Sequence, residues 1–132
     1  MIYKFLEYLN GENQYLRLGI TNDNEYKLIV DVQSEGFDGY GYIHFNIESL
    51  NIINNQLNNF KEKQINEIIV FDINKMSCLT IERNDLYLNI KGKIHNNHCV
   101  LNFCFNRVSE QMINYTIIEN LIDELKNKKL IK

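Results

Sequence analysis

The hydrophobic period of this chain changes abruptly at Asn46, and that change restricts what it can fold into. Before it, Tyr26, Leu28, Val30 and Val32 alternate with Lys27, Ile29 and Asp31, a period of two that sends the first set to one face of a strand. After it, Ile47, Leu50, Ile53, Leu57 and Phe60 recur at three and four residues and draw an apolar stripe down a helix of about four turns. Asn46 is placed to cap that helix, because its side-chain oxygen can accept from a first-turn amide, and Glu48 complements the helix dipole. The opposite face carries Asn51, Asn54, Asn55 and Asn58, poor helix formers that tertiary packing must hold.

Short strands account for most of what remains. Ile2 to Leu9 is an apolar and aromatic run that stops at Asn10-Gly11, a pair tolerant of positive φ, and residues 14–20 form the returning strand. Thr21 to Asn24 is the next polar turn. Asp38-Gly39 reads as a hairpin turn, with Gly39 supplying a positive φ, and Gly41 to Phe45 continues as a strand in which Gly41 marks a bend or close helix packing. In the second half, residues 67–73, 77–82, 86–94 and 98–106 are β-rich and separated by Asn-Lys, Asn-Asp and Asn-Asn turns, short enough for antiparallel hairpins. Thr116 to Glu119 reads as a capping box that opens a terminal helix with Ile118, Leu121, Ile122 and Leu125 as its buried stripe. With no linker and no repeat in the sequence, the expectation is one α+β domain over residues 1–132. Its largely antiparallel sheet of about seven to eight strands is packed by a central amphipathic helix and a C-terminal helix.

Size and charge narrow the function classes. A chain of 132 residues, 45% hydrophobic and 23% charged, can bury one ordinary core. Fourteen Lys and Arg against seventeen Asp and Glu give a net charge of -3, with no basic block of the kind that binds nucleic acid. No stretch approaches the roughly 18 apolar residues of a membrane span or the h-region of a signal peptide, so a cytoplasmic protein is expected. Cys78, Cys99 and Cys104 are an odd number, best read as free, mostly buried thiols.

Few residues invite chemistry. His95-Asn-Asn-His98-Cys99, with Cys104 beyond, has zinc-ligand character, but Cys99 and Cys104 have opposite strand parity and point to opposite faces, so a polar turn beside core thiols is the stronger reading. Cys99 beside His98 fails as a nucleophile and base for the same reason, and His44 reads as a half-exposed strand histidine rather than a general base. The glycines of Glu35 to Gly41 lack the Gly-Lys-Ser/Thr ending of a phosphate loop and precede a strand rather than a helix. No catalytic residue, metal or cofactor is assigned.

One segment carries a family signature. Val30-x-Val32, three residues, then Gly36-Phe37-x-Gly39, a short strand, and a helix with Leu50, Ile53 and Leu57 resembles the small bacterial immunity proteins of the WapI type. The family's paired later strands and closing helix are matched by Leu86 to Phe105 and by Asn114 to Ile118. Its aromatic-rich strand reads here Tyr40-Gly-Tyr-Ile-His-Phe45, without Trp. The resemblance implies a non-enzymatic cytoplasmic protein that binds and neutralises the toxic C-terminal domain of a secreted polymorphic toxin. Its partner would be a protein, not nucleic acid or membrane, and the chain itself a monomer or homodimer. If that toxin is a nuclease, an acidic face including Glu35 and Asp38 would cover its basic cleft, with Tyr40 and Tyr42 as interface anchors. The alternative is a small protein- or ligand-binding module, of phage or mobile-element origin, which a cavity with convergent polar groups would favour.

Overall fold

A computed structural model describes residues 2–9, 13–20, 26–34, 37–113 and 115–127, with side chains outside 2–13, 34, 37, 112 and 117. Strands β1 (Ile2–Leu9), β2 (Asn13–Ile20), β3 (Lys27–Ser34) and β4 (Phe37–His44) lead into helix α1 (Ile47–Lys61). Strands β5 (Glu67–Phe71), β6 (Cys78–Asn84), β7 (Tyr87–His95) and β8 (Val100–Ser109) follow, then a 3-10 turn and helix α2 (Tyr115–Asn127). The architecture is α+β, as the periodicity predicts. It is also two successive units of four strands and a helix, a topological repeat with no counterpart in the residues.

All pairing is antiparallel, in the order β1-β2-β3-β4-β7-β6-β5, with β8 alongside β7. The two meanders meet at one pair, Tyr42 opposite His95. Gly39 and Gly41 make that junction possible. A Cβ on Gly41 would sit 2.8 Å from the His95 amide nitrogen and 2.9 Å from its carbonyl oxygen, and one on Gly39 would overlap the Leu101 side chain. The expected turn at Asp38-Gly39 is therefore corrected: Gly39 lies within β4 opposite Val32, without a positive φ, and the strands close with Ser34 opposite Phe37. Glycine is favoured there by crowding against a side chain and not by chirality. The expected helix packing at Gly41 is corrected too: the crowding neighbours are the His95 backbone and the Ile94 Cβ of strand β7.

The alternation in each strand builds a single core. Leu16, Leu18, Leu28, Val30, Val32 and Ile43 of the first unit, and Ile68, Val70, Leu79, Ile81, Leu88, Ile90 and Phe105 of the second, are buried together with the helix stripes. Helix α1 contributes Leu50, Ile53, Leu57 and Phe60. Asn46 caps it as expected: Ser49 N–H donates to Asn46 Oδ1 at 2.8 Å, and Asn46 N–H donates back to Ser49 Oγ at 2.9 Å. Helix α2 contributes Leu121, Ile122 and Leu125. Its predicted capping box is not formed, because the helix already includes Tyr115 and Thr116, and Glu119 instead pairs with Lys61 of α1. The interior gap between sheet and helices is about 50 Å³ and lined only by apolar side chains, about the room of one or two waters.

Two polar devices lock elements together. Gln56 on α1 accepts from Ile69 N–H at 3.1 Å and donates to Ile69 C=O at 3.5 Å, so its amide takes the place of a neighbouring strand on terminal strand β5. Arg83 on β6 donates to Glu110 Oε1 at 2.8 Å, Phe60 C=O at 2.8 Å and Ile65 C=O at 3.1 Å, and stacks on the Phe60 ring at 4.0 Å. One guanidinium thus ties the end of α1, the connection to β5 and the turn before α2. The expected burial of the thiols is corrected: Cys99 is exposed in the turn between β7 and β8, Cys104 is exposed on the outward face of β8, and Cys78 is half-buried at the start of β6. Among the described residues no helix is long and apolar enough to cross a membrane.

Candidate protein-binding face

β4 divides its residues cleanly. Gly41 and Ile43 are buried, while Asp38, Tyr40, Tyr42 and His44 alternate onto the outer face and are exposed or half-exposed. Three of the four residues singled out for partner binding, Asp38, Tyr40 and Tyr42, thus share one face; Glu35 lies outside the described residues. The register adds cross-strand neighbours: Tyr40 stands opposite Asp31, Tyr42 opposite Ile29, His44 opposite Lys27 and Asp38 opposite Gln33. Arg17 and Tyr15 of β2 extend the same rows.

The aromatic rings form a ladder along the strand. Tyr40 and Tyr42 meet edge to face with centroids 5.8 Å apart, and Tyr42 and His44 follow at 6.3 Å. Successive outward residues on a strand are spaced for such contact, and each tyrosine combines a broad apolar ring with a hydroxyl. Tyr40 is 45% exposed, high for a residue of its size. The Lys27 ammonium lies 4.8 Å over the Tyr42 ring and the Arg17 guanidinium 4.0 Å over Tyr15, so cations already use two ring faces.

Charge on this face is mixed but not balanced at every point. Arg17 reaches Asp31 at 4.0 Å. Partial burial nonetheless holds the Asp31 carboxyl above its ordinary range; Arg17 opposes that shift, and the neighbouring carboxylate of Asp38 adds to it. Ionised Asp31 therefore carries a cost, set mainly by burial and added to by Asp38, that a cation brought from outside would relieve.

The backbone beneath the ladder is pinned at both ends. At one, the Asn96 side chain donates to Tyr40 C=O. At the other, buried Asp72 accepts from His44 N–H at 2.6 Å and from Met76 N–H at 3.3 Å, and its Oδ1 lies 3.3 Å from His44 Nδ1. The imidazole has a carboxylate beside it, as a general base would. However, both oxygens of that carboxylate already accept from main-chain amides, which makes Asp72 the residue that fastens the β5–β6 turn to β4. Nothing in the sequence separates Asp72 from the other scattered acids.

The histidine and cysteine cluster resolves into turn structure. Asn96 Oδ1 accepts from His98 N–H at 2.8 Å and from Cys99 N–H at 3.0 Å, and Cys104 stands on the outer face opposite Lys91. Among the described residues no three His, Cys, Asp or Glu side chains gather closely enough to hold a metal ion.

Against known proteins, no family model matches the chain, and no curated protein does. The chain is similar in fold to a solved structure described as crystal structures of Trypanosoma bruciei MRP1/MRP2, with a TM-score of 0.55, 7% sequence identity, and coverage of 98% of this chain and 85% of that one. At that identity the likeness concerns the path of the backbone.

Proposed function

We propose that the chain is a non-enzymatic immunity protein that binds the toxic C-terminal domain of a bacterial polymorphic toxin in the cytoplasm and neutralises it by covering its working surface. The observation that carries this reading is the exposed tyrosine ladder of β4 beside the Asp31 and Asp38 pair. Rigid aromatic anchors lose little entropy on docking, and the neighbouring carboxylates of Asp31 and Asp38 favour a basic partner. The family resemblance of Val30 to Leu57 points the same way. A protein surface with complementary positive charge suits this face better than a polynucleotide, because two of its acids lie among the rings that bases would need.

The test is co-expression with the toxin domain encoded beside this gene, followed by co-purification and growth. The wild-type chain should bind and protect. Tyr40→Ala should weaken binding by about 2 kcal/mol, the effect of losing an interface anchor. Asp38→Lys should slow association, most at low ionic strength. If the wild-type chain neither binds nor protects, the reading fails.

A further inference from the structure

A second surface lies around the corner from the tyrosine ladder, between the first turns of α1 and the β5–β6 turn. Four large apolar side chains stand open there: Ile52 at 58% exposure, Phe71 at 56%, and Ile73 and Met76 at 47% each. They border a groove of about 680 Å³. Scattered exposed apolar residues are ordinary, but four around one concavity form the kind of patch that marks an interaction site.

Its rim is charged, and unevenly. Lys75 and Lys93 line the groove, and neither has an ion-pair partner among the described residues. Glu48 lies across from them in the first turn of α1, where it meets the positive end of the helix dipole. Asp72 also borders the groove but is 4% exposed and committed to the amides of His44 and Met76. What faces an incoming chain is therefore apolar at the centre and net positive at the edge, two lysines against the one exposed carboxylate of Glu48, the reverse of the acidic pair on the ladder.

We propose that this groove is a second docking surface, for an apolar protein segment that carries carboxylates. The apolar side chains of such a segment would cover Phe71 and Met76 while its acids met Lys75 and Lys93. A second copy of this chain fits less well, since it would add two more lysines and only one more exposed carboxylate, Glu48, to a groove already rich in cations. The inference extends the reading of the chain as a protein-binding protein, and it is tested without the toxin.

The probe is a short fluorescein-labelled peptide alternating leucine and glutamate, with a twin alternating leucine and lysine, titrated by fluorescence anisotropy. The glutamate peptide should bind and the lysine twin should bind at least about tenfold more weakly. Phe71→Ser with Met76→Ser should also cost the glutamate peptide about tenfold or more, the weight of one anchor. Lys75→Glu with Lys93→Glu should weaken it too, whereas Tyr40→Ala should leave it unchanged. Ile52→Ser, on a different element, serves as the second apolar variant if the first fails to fold. Equal binding of the two peptides, no binding by the wild-type chain, or wild-type affinity in the apolar variants overturns the proposal. So does a concentration-dependent dimer that the apolar variants abolish, which would make a second copy the occupant.

Discussion

Arg83 shows how much a single side chain can hold. It is mostly buried, and its charge is met by Glu110 while its remaining donors reach carbonyls at the end of α1 and beyond it. Removing it takes the donor from the Glu110 carboxylate and from Ile65 C=O and leaves Phe60 C=O with Lys63 N–H, so Arg83→Ala should destabilise by about 3 kcal/mol, measured by denaturant unfolding. Arg83→Lys should recover only part, because an ammonium cannot span the same fork. Tyr115 lies in the same neighbourhood, against Phe60, with its hydroxyl buried and unpartnered. Burial raises its pKa above the ordinary 10.0, Glu110 raises it further, and Arg83 only partly offsets this. The folded state thus holds the proton more tightly than the unfolded state. That contribution to stability is complete below about pH 10 and is lost as pH rises through the folded pKa. Tyr115→Phe should therefore be near neutral in stability at pH 7 and should flatten the alkaline decline in thermal midpoint. An equally steep decline in the variant would mean another group is responsible.

At the scale of elements, what could be read in advance was what is local. Helix α1 was legible because the spacing of Leu50, Ile53, Leu57 and Phe60 and the cap at Asn46 are both matters of nearest neighbours along the chain. The common face of Asp38, Tyr40 and Tyr42 was not legible, because the sequence reads Asp38 as part of a turn and starts the strand at Gly41, whereas β4 runs from Phe37. The hairpin turn at Asp38-Gly39 was misplaced because a glycine's reason can lie far away in sequence: Gly39 and Gly41 make room for Leu101 and His95, and no local pattern announces a crossing strand. The capping box failed similarly, since Glu119 finds Lys61 across the helix pair. Asp72, Arg83 and the apolar groove were illegible for the same reason, each being assembled from segments distant in the chain. The glycines give a graded expectation. Gly41→Ala meets backbone that cannot yield and should cost about 1–3 kcal/mol, whereas Gly39→Ala meets a side chain that can turn aside and should cost less. Chemical denaturation of the two variants side by side would show the order, and equal costs would contradict this account of the junction.

Across the whole molecule, the two four-strand units are not independent bodies. Helix α1, which closes the first unit, packs on β5 of the second, and α2, which closes the second, packs on β1 and β2 of the first. Each unit lends its helix to the other, and the buried side chains form one continuous cluster. Unfolding should therefore be a single transition, with far-ultraviolet dichroism and tyrosine fluorescence giving coincident curves. Truncation before Tyr115 should abolish that transition rather than leave half of it, because Leu121, Ile122 and Leu125 cover strands from the opposite end of the chain. A truncated chain that still melts cooperatively would show the first unit to be self-sufficient.

The Gln56 amide on β5 bears on how such a sheet stays solitary. A terminal strand offers its main chain to any extended peptide that drifts past, and growth by addition of further strands is the usual hazard of an open sheet. By occupying both hydrogen-bonding groups of Ile69, a side chain from the protein's own helix plays the part of the next strand and can never recruit another. The sheet meets an amide at the middle of that border, so an extended chain adding there would first have to displace Gln56 from Ile69.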